Sequence, residues 1–254
     1  VKSRRIYIGI SMVLRALVRR KIVFILMLVI PAVFLGVVEF TTSERILPFR
    51  LASLDEETFI EISEKRISFI FFAVASAGFL VAFLALNLIQ KGRGVNKRLV
   101  ICGYHPLELL IAILGALAFM IVGIALYIGL LTHTFYPVEH LPAFIFSLML
   151  IGLVYGCYGL AAGSLIRGEL EGILLIVLLV NIDVGWLQNP LFYAEAQNQI
   201  IIRFLPAYYP AQSAIITSFT DYSPASANIY SIGYGAIFLL ISMLIFFHEM
   251  RVKS

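Results

Sequence analysis

The chain has 254 residues, of which 61% are hydrophobic and 13% charged, with a net charge of +4. Such a composition excludes a water-soluble domain of ordinary surface polarity, because one core cannot take up so many apolar side chains, and it points to lipid as the main solvent. The excess of Lys and Arg is accounted for by their concentration on one side of a membrane and by attraction to anionic lipid, with no need to invoke nucleic acid.

A helix rises about 1.5 Å per residue and the hydrocarbon slab is about 30 Å thick, so a crossing takes about 20 mostly apolar residues. The chain reads as one membrane domain, 1–254, of all-α class. It opens with a helix over residues 1–20, where Ile6, Ile10, Val13, Leu14 and Leu17 recur at helical spacing and Arg4, Ser11, Arg15 and Arg19 take another face. This pattern predicts a helix lying along the inner membrane surface, as a simple anchor or as a docking element. The first span, 22–38, carries Pro31 near its middle, which requires neighbouring helices to cover the freed carbonyl. It is longer than a signal-peptide core and no Ala-x-Ala site follows, so a retained span is expected.

In the loop that follows, Ser53-Leu54-Asp55-Glu56 is a capping-box pattern, and Glu61 and Lys65 stand at i and i+4. Together they predict one continuous helix from about Leu54 through the second span, 67–89, projecting into water. The third span is 109–131 and the fourth 141–166. The fourth contains Gly152, Gly156, Gly159 and Gly163, a ridge of small residues that lets another helix approach closely. Arg167, Glu169 and Glu171 form the second inner loop, read as a tight connection; Arg167 and Glu171 would form a modest ion pair if the turn between them is helical. The fifth span, 172–187, is short and holds Asp183, then Trp186. Segment 187–228 reads as short outer helices over Tyr193 to Leu205 and Pro210 to Phe219, whose apolar residues dip back onto the spans. The sixth span is 229–247.

Basic residues set the expected orientation. Lys2, Arg4, Arg5, Arg15, Arg19, Arg20 and Lys21 precede the first span, Lys91, Arg93, Lys97 and Arg98 follow the second, and Arg251 and Lys253 follow the sixth. The other side is rich in Asp and Glu. Both termini are therefore expected in the cytoplasm, with the chain a multi-pass protein of the cell's inner (plasma) membrane. Cys102 and Cys157 are then not placed for an extracellular disulfide.

Asp183 is the sharpest candidate for function. Twelve residues beyond Glu171, it lies about 18 Å deep, and a carboxylate at that depth turns to a partner or to water. It either lines a path or dimer interface, with Asn181 and Trp186, or is delivered to the outer boundary beside Trp186 and Gln188 by a tilted helix. His133, Glu139 and His140 cluster on an outer loop without a regularly spaced further ligand, and read as solvated loop residues, with no metal site assigned. No H-E-x-x-H and no Gly-Lys dipeptide occurs, so neither a zincin site nor a phosphate-cradling loop is encoded, and catalysis by the chain alone is not expected.

Lys91 to Pro106 is too polar for the membrane and too short for a domain. Gly92, Gly94 and Gly103 are expected to supply turns, Asn96 to cap a short helix through Ile101, and Pro106 with Glu108 to start the third span. A short basic helix held beneath the membrane results. The text "NKRLVICGYHPLELLIA" resembles the link between the second and third helices in permeases of the type-2 ABC exporter class. "FLPAYYPAQSAIITSF" before the sixth span and the order of elements extend the likeness over nearly the whole chain. The resemblance implies a permease subunit of an ATP-driven exporter, paired with a second copy or a paralogue and clasped by two ABC ATPase subunits, which carry the ATP and Mg. It also implies that Asn96, Lys97, Arg98, Leu99, Val100, Ile101, Cys102, Gly103 and Tyr104 form the coupling element, with the N-terminal helix also meeting the ATPase. The fifth helix would help line the dimer interface. Apolar helix faces suit drugs, peptides or lipid-like cargo, glycans are carried by similar proteins, and a non-transporting scaffold is the alternative of another class.

Overall fold

The computed structural model describes residues 2–50, 59–189, 192 and 199–251. Among them, six helices are long and apolar enough to cross a membrane. The order is α1 (Lys2–Val18), α2 (Lys21–Thr41), strands β1 (Ile46–Arg50) and β2 (Phe59–Ser63), α3 (Glu64–Ile101), α4 (Pro106–Phe135), α5 (Leu141–Leu165) and α6 (Glu169–Val180). A π-helical segment, Asn181–Leu187, continues α6, and α7 (Gln199–Arg203), α8 (Tyr208–Phe219) and α9 (Ala225–Arg251) follow.

The core is built on α3 and α5. Between helices in lipid there is no hydrophobic driving force, so close packing and hydrogen bonds must hold them, and small residues allow the approach. A Cβ placed on Gly159 of α5 would come within 2.3 Å of the Ala82 carbonyl oxygen of α3, and one on Gly163 within 3.1 Å of that of Leu86. On the same helix, the equivalent positions on Gly152 and Gly156 would lie 3.0 Å from Ile121 of α4 and from Val81 of α3. The glycine ridge is thus a contact with α3, completed by α4. α8 is buried against α3, α5 and α9, and its Ser213 hydroxyl donates to Asn228 Oδ1 at 2.6 Å while sharing a 2.7 Å hydrogen bond with Ser147. Ile215 and Ile216 are buried as expected of this segment, whereas Ile200, Ile201 and Phe204 around α7 are exposed. Pro31 is buried in α2, and Tyr127 of α4 donates its hydroxyl to the neighbouring Leu28 carbonyl at 2.7 Å.

Two expectations are corrected. The helix predicted from Leu54 does not form: α3 begins at Glu64, and Phe59–Ser63 pairs antiparallel with Ile46–Arg50, Ile46 opposite Ser63. The β-branched and aromatic run Phe59-Ile60-Glu61-Ile62 has strand propensity and period-two alternation, and a pairing partner wins over a local capping pattern. The 53–56 pattern itself lies outside the described residues. Glu61 accordingly sits in a strand, and Lys65 instead reaches Glu39 of α2 at 2.8 Å. The all-α class therefore needs one small hairpin added.

The second correction concerns the link after the second span. Instead of a separate short helix, α3 runs unbroken for 38 residues, about 57 Å at 1.5 Å per residue and well beyond a 30 Å slab. Gly92 and Gly94 are helical, and Asn96 is buried within the helix where a cap was expected. Their helix-weakening cost is offset by tertiary bonds: Arg93 donates to the Gly163 and Ser164 carbonyls, Gln90 to those of Ile166 and Gly168, and Lys91 pairs with Glu169 at 3.0 Å. The link between α5 and α6 is the tight connection expected: Ile166 and Gly168 are extended and α6 starts at Glu169, so the condition for an Arg167–Glu171 pair, a helical turn, is not met.

Gly159→Ala must push apart α3 and α5 at a backbone oxygen, and is expected to destabilise the protein by about 1–3 kcal/mol. Gly123→Ala, where an added Cβ meets nothing within 4 Å, is expected to leave stability unchanged or raise it by up to about 1 kcal/mol. Thermal unfolding of the two variants in detergent, followed by size-exclusion chromatography, distinguishes them.

Candidate functional site

Two places concentrate polar chemistry. The first is Asp183, 5% exposed, in the π-helical segment. The buried face of α6 passes through Gly172, Ile176 and Val180, and the wider π turn brings both Asp183 and Val184 inward after it. The Gln188 amide donates to the Asp183 carbonyl at 3.1 Å, an i to i−5 bond that marks the widened turn. Upstream, the Asn181 side chain folds back onto the Val177 carbonyl at 2.7 Å.

The Asp183 carboxylate accepts from the Tyr155 hydroxyl of α5, from Gln188 Nε2 at 3.2 Å and from the Ala207 backbone N–H at 3.1 Å. All three partners are neutral donors. A buried carboxylate held this way satisfies much of its acceptor capacity without a counter-ion and ties α5, the π segment and the start of α8 together. Asn181 and Trp186, grouped with Asp183 in sequence, do not join it. Asn181 is exposed, and Trp186, 53% exposed, meets the Phe192 ring edge-on at 5.2 Å. Gln188 does join Asp183, but inside the protein. Tyr155 and Ala207 carry no sequence signal, since they meet Asp183 only across 28 and 24 residues of chain.

The second place is the far end of α3, called here the basic end of the bundle. Lys97 and Arg98 make no ion pair with another described residue, Ile101 is 84% exposed, and Cys102 is exposed with a free thiol. Leu99 and Val100 are half-buried on the inner side. The helix is closed by Gly103 at φ 88°, with the Tyr104 N–H bound to the Leu99 carbonyl and the Gly103 N–H to that of Val100, both at 3.0 Å. This is a Schellman turn, and it requires glycine. His105 then caps α4: its Nδ1 accepts from the Leu107 N–H at 3.2 Å while Glu108 Oε2 accepts from the His105 N–H at 3.4 Å, and Pro106 occupies the first turn.

The N-terminal helix α1 packs on this end of α4, where a Cβ on Gly9 would stand 2.8 Å from that of Ala112. Arg4, Arg15 and Arg19 stay exposed. Arg5, which the spacing did not single out, makes the cross-connection: its guanidinium lies 5.1 Å from the Tyr104 ring centroid and 3.9 Å from Glu108.

At the opposite end, His133 Nδ1 accepts from the Val138 N–H at 3.1 Å, so it serves its own loop. Glu139 and His140 instead come together with Asp221, their ligand atoms within 4.8 Å of one another, all exposed, and His140 Nε2 is 3.0 Å from Asp221. Nearby, a cavity of about 490 Å³ is lined by Glu39, Glu44, Glu61, Lys65, Arg66 and Tyr136, among others. Burial holds the Tyr136 phenol above its ordinary value, against the lowering effect of Arg66, whose guanidinium lies over its ring at 5.5 Å.

The chain matches no protein-family model and no curated protein sequence.

Removing either side of the Asp183–Tyr155 hydrogen bond is expected to lower stability, with a coupling of about 0.6–1.7 kcal/mol, from the mean to the maximum found for such bonds within a membrane bundle. A double-mutant cycle of Asp183→Asn and Tyr155→Phe, read by reversible unfolding in mixed micelles, checks it; additive effects would show that the two groups do not interact.

Proposed function

We propose that this protein is the membrane subunit of an ATP-driven exporter, moved by a separate ATPase that docks on the basic end, which then faces the cytoplasm. The observation that carries the reading is the construction of α3. A single helix of 38 residues runs from the β-hairpin to the Gly103 turn, and its last three turns are braced to the α5–α6 connection through Gln90, Lys91 and Arg93. A force applied at Lys97, Arg98 and Tyr104 would be delivered along α3 to the α5 interface instead of being absorbed in a flexible loop. Arg5 ties α1 to the same turn, so both would move as one body.

The coupling element expected over Asn96 to Tyr104 is in this reading the end of α3 plus its turn. ATP and Mg would be held by the partner, since this chain encodes no phosphate-cradling loop. Asp183 would act in the membrane half: buried by neutral donors in a closed state, it would be re-exposed when α6 separates from α5 and α8. Transport of an apolar or amphipathic cargo between two permease copies fits the large apolar faces that α2, α6 and α9 leave exposed.

The test is to isolate the full chain with its native partners. An ATPase is expected to copurify and to lose more than about tenfold of its permease-dependent stimulation with the pair Lys97→Glu and Arg98→Glu, because like charges placed in a docking interface repel. A chain that purifies with no ATPase, or whose ATPase ignores the charge reversal, defeats the reading. Asp183→Asn is expected to retain the assembly and reduce cargo movement into inverted vesicles.

A further inference from the structure

A cavity of about 330 Å³ lies among α1, α3 and α4 at the basic end. Its volume falls at the lower end of the range of ligand sites. Met12, Val13 and Leu17 of α1, Leu88 and Leu99 of α3 and Ile113 of α4 give it apolar walls. Among the described residues, the only charged side chains that line it are Arg20 and Lys91, and no acidic residue does. Arg20 is half-buried and Lys91 is 40% exposed, so both stand at the rim, with Arg19 and Lys21 exposed next to them in sequence. Lys91 shares its charge with Glu169 at 3.0 Å, but Arg20, Arg19 and Lys21 leave the rim positive.

One further group belongs to the cavity wall. Asn96 is only 8% exposed, and its Nδ2 has no hydrogen-bond partner among the described residues. A buried amide donor without an acceptor is costly, and α3 continues through Asn96 where an apolar residue would pack without that cost. Asn96 lines the same cavity, with its Nδ2 itself covered by the protein.

These features specify an occupant. It has an anionic head that meets Arg20 and Lys91 and a hydrocarbon tail between α1 and α3. We infer that the cavity holds one anionic phospholipid from the leaflet at the basic end, with an acyl chain as the wedge that seats α1 against α3. α1 contacts α4 closely at Gly9, but its face toward α3 is where this space lies. The lipid would supply the missing contact. This inference rests on insertion of the six apolar helices in a membrane and is independent of any ATPase.

The experiment uses the full chain in detergent, stripped of lipid, titrated with phosphatidylglycerol, phosphatidylcholine or inorganic phosphate, and read by native mass spectrometry. One phosphatidylglycerol per chain is expected to survive washing that removes phosphatidylcholine. Arg20→Gln is expected to weaken its retention about fivefold, the effect of one basic contact with an anionic lipid. Ala16→Trp, which fills the cavity from α1, and Val95→Trp, which fills it from α3, are each expected to abolish retention; the second serves if the first does not fold. Equal retention of phosphatidylcholine, unchanged retention in a folded tryptophan variant, or displacement of the lipid by inorganic phosphate would each overturn the assignment.

Discussion

The meeting of α3 and α5 at Gly159 and Ala82 is the constraint from which the remaining architecture follows. With lipid on the outside, helices gain nothing by hiding apolar surface from water, and association depends on backbone proximity and dispersion. A helix with four glycines on one ridge provides that proximity, and α3 lies in it with carbonyl oxygens where a methyl group would otherwise stand. α4 then closes the same ridge from the side through Ile121 and Leu117. Once α3 is clamped, its direction beyond the span is determined, and the bonds from Gln90 and Arg93 to the carbonyls ending α5 and preceding α6 extend the clamp to its far end.

Two clusters of polar groups inside the bundle join elements that apolar packing alone would leave free to slide. Ser147, Ser213 and Asn228 link α5, α8 and α9. Asp183 links the π segment, α5 and the approach to α8. Both clusters tie α8 or its approach to α5. They are also the bonds that any opening of the bundle has to exchange for others, which gives a buried carboxylate in a widened helical turn a mechanical meaning within the proposed exporter. π-helical turns are rare and mostly occur as single widened turns within α-helices, frequently at functional sites.

The two ends of the bundle are finished differently. At the basic end, a glycine turn, a histidine cap and a cation over an aromatic ring lock α1, α3 and α4 into one corner. At the other, a two-stranded hairpin and a charged cavity sit above α2, α3 and α4. A rigid corner beside an open, partly apolar cavity is a combination that suits external contacts, since the scaffold is set before the contact is made.

Spans were legible in the amino-acid order because an apolar run of about 20 residues is a local quantity that lipid alone selects. The glycine ridge of α5, the start of α4 at Pro106 and the burial of Ile215 and Ile216 were legible for the same reason: each depends on spacing within one segment. The hairpin was missed because strand pairing between residues 46 and 63 is settled by a partner, whereas the 53–56 pattern advertised a helix locally. α3 was divided at Gly92 and Gly94 on propensity, yet Arg93 and Gln90 find acceptors on another helix, and those bonds outweigh the glycine cost. Asp183 was visible as an expensive residue and Gln188 as its neighbour; Tyr155 and Ala207 around it were not. Sequence by itself determined the solvent, the number of apolar crossings and the end that carries the basic charge. Only tertiary structure decided which polar groups meet, because a hydrogen bond is specified by positions in space that no single segment contains.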